Sequence, residues 1–321
     1  MAELSPVEAA LYAFKRRERR FVLTRAAIGY LLLRLTIGAA FLAIAWPLLS
    51  SAMSWYLDAI GSVANGGVLT APPWQTLSAL APLVIGSGLL SMLVLAAFEA
   101  ACLRWLVRNE TSGFLGLGLG ADTWRVFALY WIWFLCGLIF LALVVAFYVA
   151  LRAVSGLHAA LGVVTVFVGA LAPLGLAALV IWAGVRLSPA AALSIAYKRL
   201  VFLDAWKATR GKFWPALGAF VLVIVGYIIA ATILDAILRI PFATVLTPVW
   251  HDVVLNNGDP ENLLRALRDT FSQPQYIAFG LLYAAVIAAV VCVFYVAYYG
   301  VNARLVKAAE EERAGVTPAS S

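Results

Sequence analysis

The chain has 321 residues, of which 64% are hydrophobic and only 12% charged, and it carries a formal net charge of +7. Soluble domains carry about 25% charged residues, so this composition excludes one and points to an integral membrane protein. Cys102, Cys136 and Cys292 all fall inside apolar runs, which excludes a disulfide framework or a CxxC metal motif.

The first segment, PVEAALYAFKRRERRFVL, reads either as a helix lying at a membrane surface, with Val7, Ala10, Leu11 and Phe14 on one side, or as an ordinary solvated basic flank. Six apolar runs follow, over 27–55, 78–106, 126–151, 158–186, 214–239 and 276–304. Each exceeds the roughly 20 residues a helix needs to cross a hydrocarbon core. All six are predicted to be helices, because a backbone in lipid must satisfy its own hydrogen bonds. The first run is too long for the apolar core of a cleavable signal and is expected to stay as an anchor. The expected organisation is a basic tail over 1–26, a transmembrane domain over 27–306, and a second tail over 307–321 that is disordered at its end.

Between the runs, 54–77 reads as a turn-rich loop containing NGG and APP, and Ser155-Gly156 as a tight turn closing an antiparallel pair of spans. Gly162, Gly169, Gly175 and Gly184, with Pro173 among them, predict close helix approach in the fourth span. In the fifth connection, GDPENLLRALRDTF predicts a short amphipathic helix. Asp259 would cap it, Pro260 would take its first position, and Leu263, Leu264, Leu267 and Phe271 would share a face. Such a helix is either a docked loop or a lid.

The 23 Lys and Arg residues divide 19 to 4 between alternate sides of the spans, so both termini are expected in the cytoplasm. The positive charge is then a topology signal and argues against a nucleic-acid partner. The expected fold is an all-α membrane protein. Its six transmembrane helices form three sequential hairpins with interfacial amphipathic helices, in the inner membrane of a bacterium. Asp122-Thr-Trp124-Arg125 and Asp204-Ala-Trp206-Lys207 match each other locally, which suggests diverged copies of one unit.

Candidate sites are few. In FLDAWKATRGKFW, residues 202–214, a continuous helix would place Phe202, Trp206 and Phe213 in one sector with Lys207 opposite, and Arg210 and Lys212 at the flanks. That pattern fits either a structural approach to the fifth span or contact with anionic lipid headgroups or a protein partner. Trp124 and Arg125 are candidates for the same contacts. Charges inside spans usually face a partner, so Arg34 with Glu99, and Asp235 with Arg239, are candidate ion pairs. His158 and His251, the latter beside Asp252, are too few to hold a metal. Glycines 113, 116, 118 and 120 lack the strand and the Lys-Ser/Thr of a phosphate loop.

The A-W-K-x-T-x-G-x-F-W pattern of residues 205–214, leading into a six-helix body, resembles the membrane domain found with bacterial glycerophosphoryl diester phosphodiesterases and related integral membrane families. In fused members the resemblance implies that chemistry belongs to a separate soluble barrel with carboxylate and histidine metal ligands. No segment of this sequence provides that barrel, so no enzyme activity, cofactor or metal is expected. The leading expectation is a non-enzymatic envelope protein acting through lipid or protein contacts. The alternative is a transporter or channel for a small or lipidic solute.

Overall fold

A computed structural model describes residues 5–15, 21–64, 68, 71–111, 113–155, 159–255, 265, 269–270 and 273–314. Among them the named elements are all helices: α1 (Pro6–Lys15), α2 (Phe21–Ala64), α3 (Trp74–Leu103), α4 (Ala121–Ser155), α5 (Ala159–Leu187), α6 (Ala190–Ala196), α7 (Asp204–Ala208), α8 (Phe213–Leu255) and α9 (Pro274–Arg313). A π-helical turn, Arg104–Arg108, continues α3. Six segments are long and apolar enough to cross a membrane: Phe21–Tyr56, Trp74–Arg108, Ala121–Ala153, Phe167–Ala196, Phe213–Pro241 and Pro274–Arg313.

Most of these helices outrun the apolar windows. α2 continues to Ala64, past residue 54 where the turn-rich loop was expected to begin, and α8 carries through Pro241 and Pro248 to Leu255. The edge of an apolar run marks where side chains change solvent, whereas a helix stops only where its backbone bonds stop. Beyond the expected ends, hydroxyls bond back to the helix backbone: Ser54 donates to the Ser50 carbonyl at 2.7 Å and Thr244 to the Pro241 carbonyl at 3.0 Å. The basic cluster 16–20, Gly156, His158, nearly all of the helix expected at 258–271, and residues 315–321 lie outside the described residues.

The chain divides into two compact units. The first comprises 1–26, 96–223 and 296–321 and holds the largest fully buried side chains, among them Phe98, Leu103, Leu129, Ile195 and Leu305. In it α1 lies against α9. Ala9 and Ala13 are buried, and a Cβ added at Gly300 would stand 2.9 Å from the Ala13 Cβ. Arg304 of α9 reaches Glu8 at 3.3 Å and Glu311 at 3.0 Å. The other face of α1 exposes Val7, Leu11 and Phe14, three of the four residues expected on its membrane side, while Ala10 is buried. Along α4 and α5 most apolar side chains are exposed, as lipid-facing ones must be. Tyr148 donates to the Gly169 carbonyl at 3.2 Å, but Gly175 and Gly184 have open space beside them, so the expected close approach along the fourth span is confined to Gly169 among the described glycines.

The second unit comprises 27–95 and 224–295. Here Tyr30 meets Tyr295 edge-on at 6.4 Å between centroids, and Tyr227 meets Phe294 at 4.7 Å.

Candidate functional site

In the first unit, polar chemistry gathers where the spans end. Asp122, in the first turn of α4, is buried and accepts from Arg108 at 3.1 Å and from Arg125 at 2.5 Å. Arg108 also donates to the Ile195 carbonyl at 3.0 Å and to Glu110. One guanidinium thus ties the end of α3 to the start of α4 and to the end of α6. Arg104 donates to the Gly116 carbonyl at 3.2 Å, fastening the glycine-rich connection. That connection is a tight turn bridged between Phe114 and Leu117, with Phe114 and Leu119 exposed.

FLDAWKATRGKFW does not form one helix. Only Asp204–Ala208 is helical, and the chain then turns at Gly211, whose φ of +77° is readily available to glycine, before α8 begins at Phe213. The turn changes which way the aromatic rings point. Phe202 packs edge-on against Trp133 at 5.7 Å, and Trp206 against Trp182 at 4.6 Å. The Arg186 guanidinium stands 5.7 Å from the Trp206 ring and 5.6 Å from that of Phe213. Its Nη1 donates to the Thr209 carbonyl at 2.8 Å, while the Thr209 hydroxyl donates to the Arg186 carbonyl at 3.1 Å. Lys212, expected to reach lipid phosphate, is buried and paired with Glu312 at 2.9 Å. Arg125 is held by Asp122, while Trp124 is exposed.

The outward-facing residues are different ones. Leu200, Leu203 and Trp214 are exposed, with Leu203 and Trp214 about three-quarters so, and Trp206 keeps one edge free. Exposed Lys198, Arg199, Lys207 and Arg210 stand among them. The segment is anchored from within: the Ser194 hydroxyl donates to the Val201 carbonyl at 3.0 Å and accepts the Val201 amide at 2.9 Å. Lys207 pairs with Asp204 at 2.9 Å, the same i,i+3 arrangement as Asp122 with Arg125. The hydrogen bond from Lys207, then the charges of Lys207, Arg199 and Arg313, hold the Asp204 carboxyl below the usual aspartate range. Asp204 therefore stays ionised through neutral pH. Periodicity could not have found Leu203 or Trp214, because it presumed an unbroken helix.

Of the candidate pairs inside spans, Asp235 and Arg239 are joined at 2.8 Å on α8, and Tyr283 adds a hydrogen bond to Asp235 at 2.6 Å. Glu99 is buried in the first unit and accepts from the Tyr130 hydroxyl, a partner not foreseen from sequence. Asn302, also buried there, lies beside Tyr298. Arg34 belongs to the second unit, and its side chain is exposed.

Six long apolar helices, with charge gathered where they end, define a multi-pass membrane protein. Compared with protein families, curated proteins and solved structures, the chain matches none.

Proposed function

We propose that this chain is a non-enzymatic protein of a bacterial inner membrane, with both termini in the cytoplasm, that works through lipid or protein contacts made by its cytoplasmic connections. The observation that carries this reading is the segment 197–214, which exposes Leu200, Leu203, Trp206 and Trp214 beside Lys198, Arg199, Lys207 and Arg210. Large apolar side chains exposed on a short connection are unfavourable in water. At headgroup depth the same side chains enter the acyl boundary while the cations meet phosphate. The exposed face of α1, with Val7, Leu11 and Phe14, supports the same placement.

The test combines topology with depth. Reporter fusions after Gly120, Gly211 and Ser321 should behave as cytoplasmic, and one after Asp259 as external. A nitroxide at Leu203 should report lipid contact and one at Lys207 water. A Leu203 label in water, or a cytoplasmic reporter at Asp259, overturns the reading.

The transporter reading draws on a different observation, the buried polar side chains of Glu99 and Asn302 inside the first unit, the former bonded to half-buried Tyr130. Buried polar groups within spans often mark solute or proton pathways.

A further inference from the structure

Within the segment that carries the proposed function, the exposed cations are not evenly spread. Tyr197 gathers two guanidinium groups: Arg313 Nη1 donates to its hydroxyl at 2.6 Å, and Arg199 stands 6.0 Å from its ring centroid. Lys207 is fixed 2.9 Å from Asp204, which also feels the charges of Arg199 and Arg313. On the same stretch of α9 as Arg313, Glu311 is taken up by Arg304 and Glu312 by Lys212. Arg199 and Arg313 thus meet at Tyr197 while Lys207 pairs with the half-exposed Asp204, so cations outnumber the carboxylate on a turn pinned by Ser194. Leu200 and Leu203, both exposed, flank it.

We propose that Arg199, Lys207 and Arg313, grouped around Tyr197 and Asp204, bind the phosphate of an anionic phospholipid whose acyl chains lie against Leu200 and Leu203. Arginine suits this role because its planar fork can give two parallel hydrogen bonds to phosphate oxygens. Tyr197 restrains both guanidinium groups before the lipid arrives, which reduces the side-chain freedom lost on binding. A soluble anion would engage the cations but leave the leucines in water. A phospholipid satisfies both. Asp204 opposes the anion, and its pairing with Lys207 makes it a competitor for the same cation.

This inference rests on the headgroup-depth placement of 197–214, and the test separates the two. The full chain is placed in phosphatidylcholine nanodiscs with a minor fraction of phosphatidylglycerol, and the lipids it retains are counted by native mass spectrometry. Each basic residue near headgroups favours anionic lipid by roughly fivefold, equivalent to about 1 kcal/mol. Replacing Arg199, Lys207 and Arg313 together by Gln should therefore cut the preference for phosphatidylglycerol by at least about tenfold. The Lys198→Gln, Arg210→Gln double variant, which leaves the Tyr197 cluster intact, should lower the preference less than the triple variant does, and Asp204→Asn should raise it. Inorganic phosphate should compete weakly. Unchanged preference in the triple variant, or no rise in Asp204→Asn, overturns the proposal. Displacement of the lipid by millimolar phosphate overturns it in favour of a soluble-anion site. With the Leu203 nitroxide in lipid, any of these results defeats only this assignment. With that label in water, the headgroup placement fails first.

Discussion

Replacing Asp122 by alanine is expected to produce a large loss of stability in the first unit. The carboxylate is buried and is shared by Arg108 and Arg125. Removing one partner of a buried ion pair costs about 3–5 kcal/mol, because the charge left behind is neither paired nor hydrated. Arg125 is about a quarter exposed and can turn to solvent, but Arg108 is only 14% exposed and has less freedom to do so. Arg108 also retains Glu110 and the Ile195 carbonyl, which places the expected loss near the lower end, about 3 kcal/mol. Asp122→Asn keeps an acceptor and should cost about half as much. Unfolding in detergent, followed by a fluorescent thiol probe on the fully buried Cys102 in a background with exposed Cys136 replaced by Ser and Cys292 by Ala, would read the difference. In the cycle with Arg108→Met, the double variant should be less destabilised than the sum of the two singles. Strict additivity would mean that Arg108 does not hold Asp122.

The second large effect is expected at Gly300. In most helices glycine is a weak point, and alanine stabilises by up to about 1 kcal/mol. Here the sign should reverse. A Cβ at this position would lie 2.9 Å from the Ala13 Cβ and 3.1 Å from the Ala13 nitrogen, which forces either α1 or α9 to shift. Overpacking of this kind costs about 1–3 kcal/mol. The contacts at stake include the buried faces of Ala9 and Ala13, the bond from Arg304 to Glu8, and Lys307 lying 6.0 Å from the Tyr12 ring, while Pro6 also stands beside Gly218 of α8. Gly300→Val should therefore release α1 without unfolding the spans. Hydrogen exchange over residues 6–15 should then quicken by at least about tenfold, while exchange in α4 stays unchanged. Adding Ala13→Gly should restore part of the protection. Unaltered exchange over 6–15 would show that α1 is not held by this contact.

Six apolar windows and their basic flanks were legible in the sequence, because hydrocarbon imposes length, helicity and charge exclusion on each span separately. Pairs close in sequence were legible too: Asp235 with Arg239 needs only the four-residue spacing of one helix, and it is present at 2.8 Å.

Tertiary structure decided everything that depended on which surfaces meet. Phe202, Trp206 and Phe213 look like a lipid-facing stripe only if residues 202–214 form one helix. With the chain turning at Gly211, they meet Trp133, Trp182 and Arg186, and Leu203 and Trp214 are left outside. Lys212 looked like a headgroup contact until its partner, Glu312, arrived from the far end of the chain. Glu99 likewise found a neutral hydroxyl on another helix. The reason is common to all three. In a membrane protein, lipid-facing and helix-facing side chains are both apolar, so periodicity carries little information about the direction of burial. Only long-range contact distinguishes a buried charge from one that snorkels, and a ring packed on protein from one dissolved in lipid.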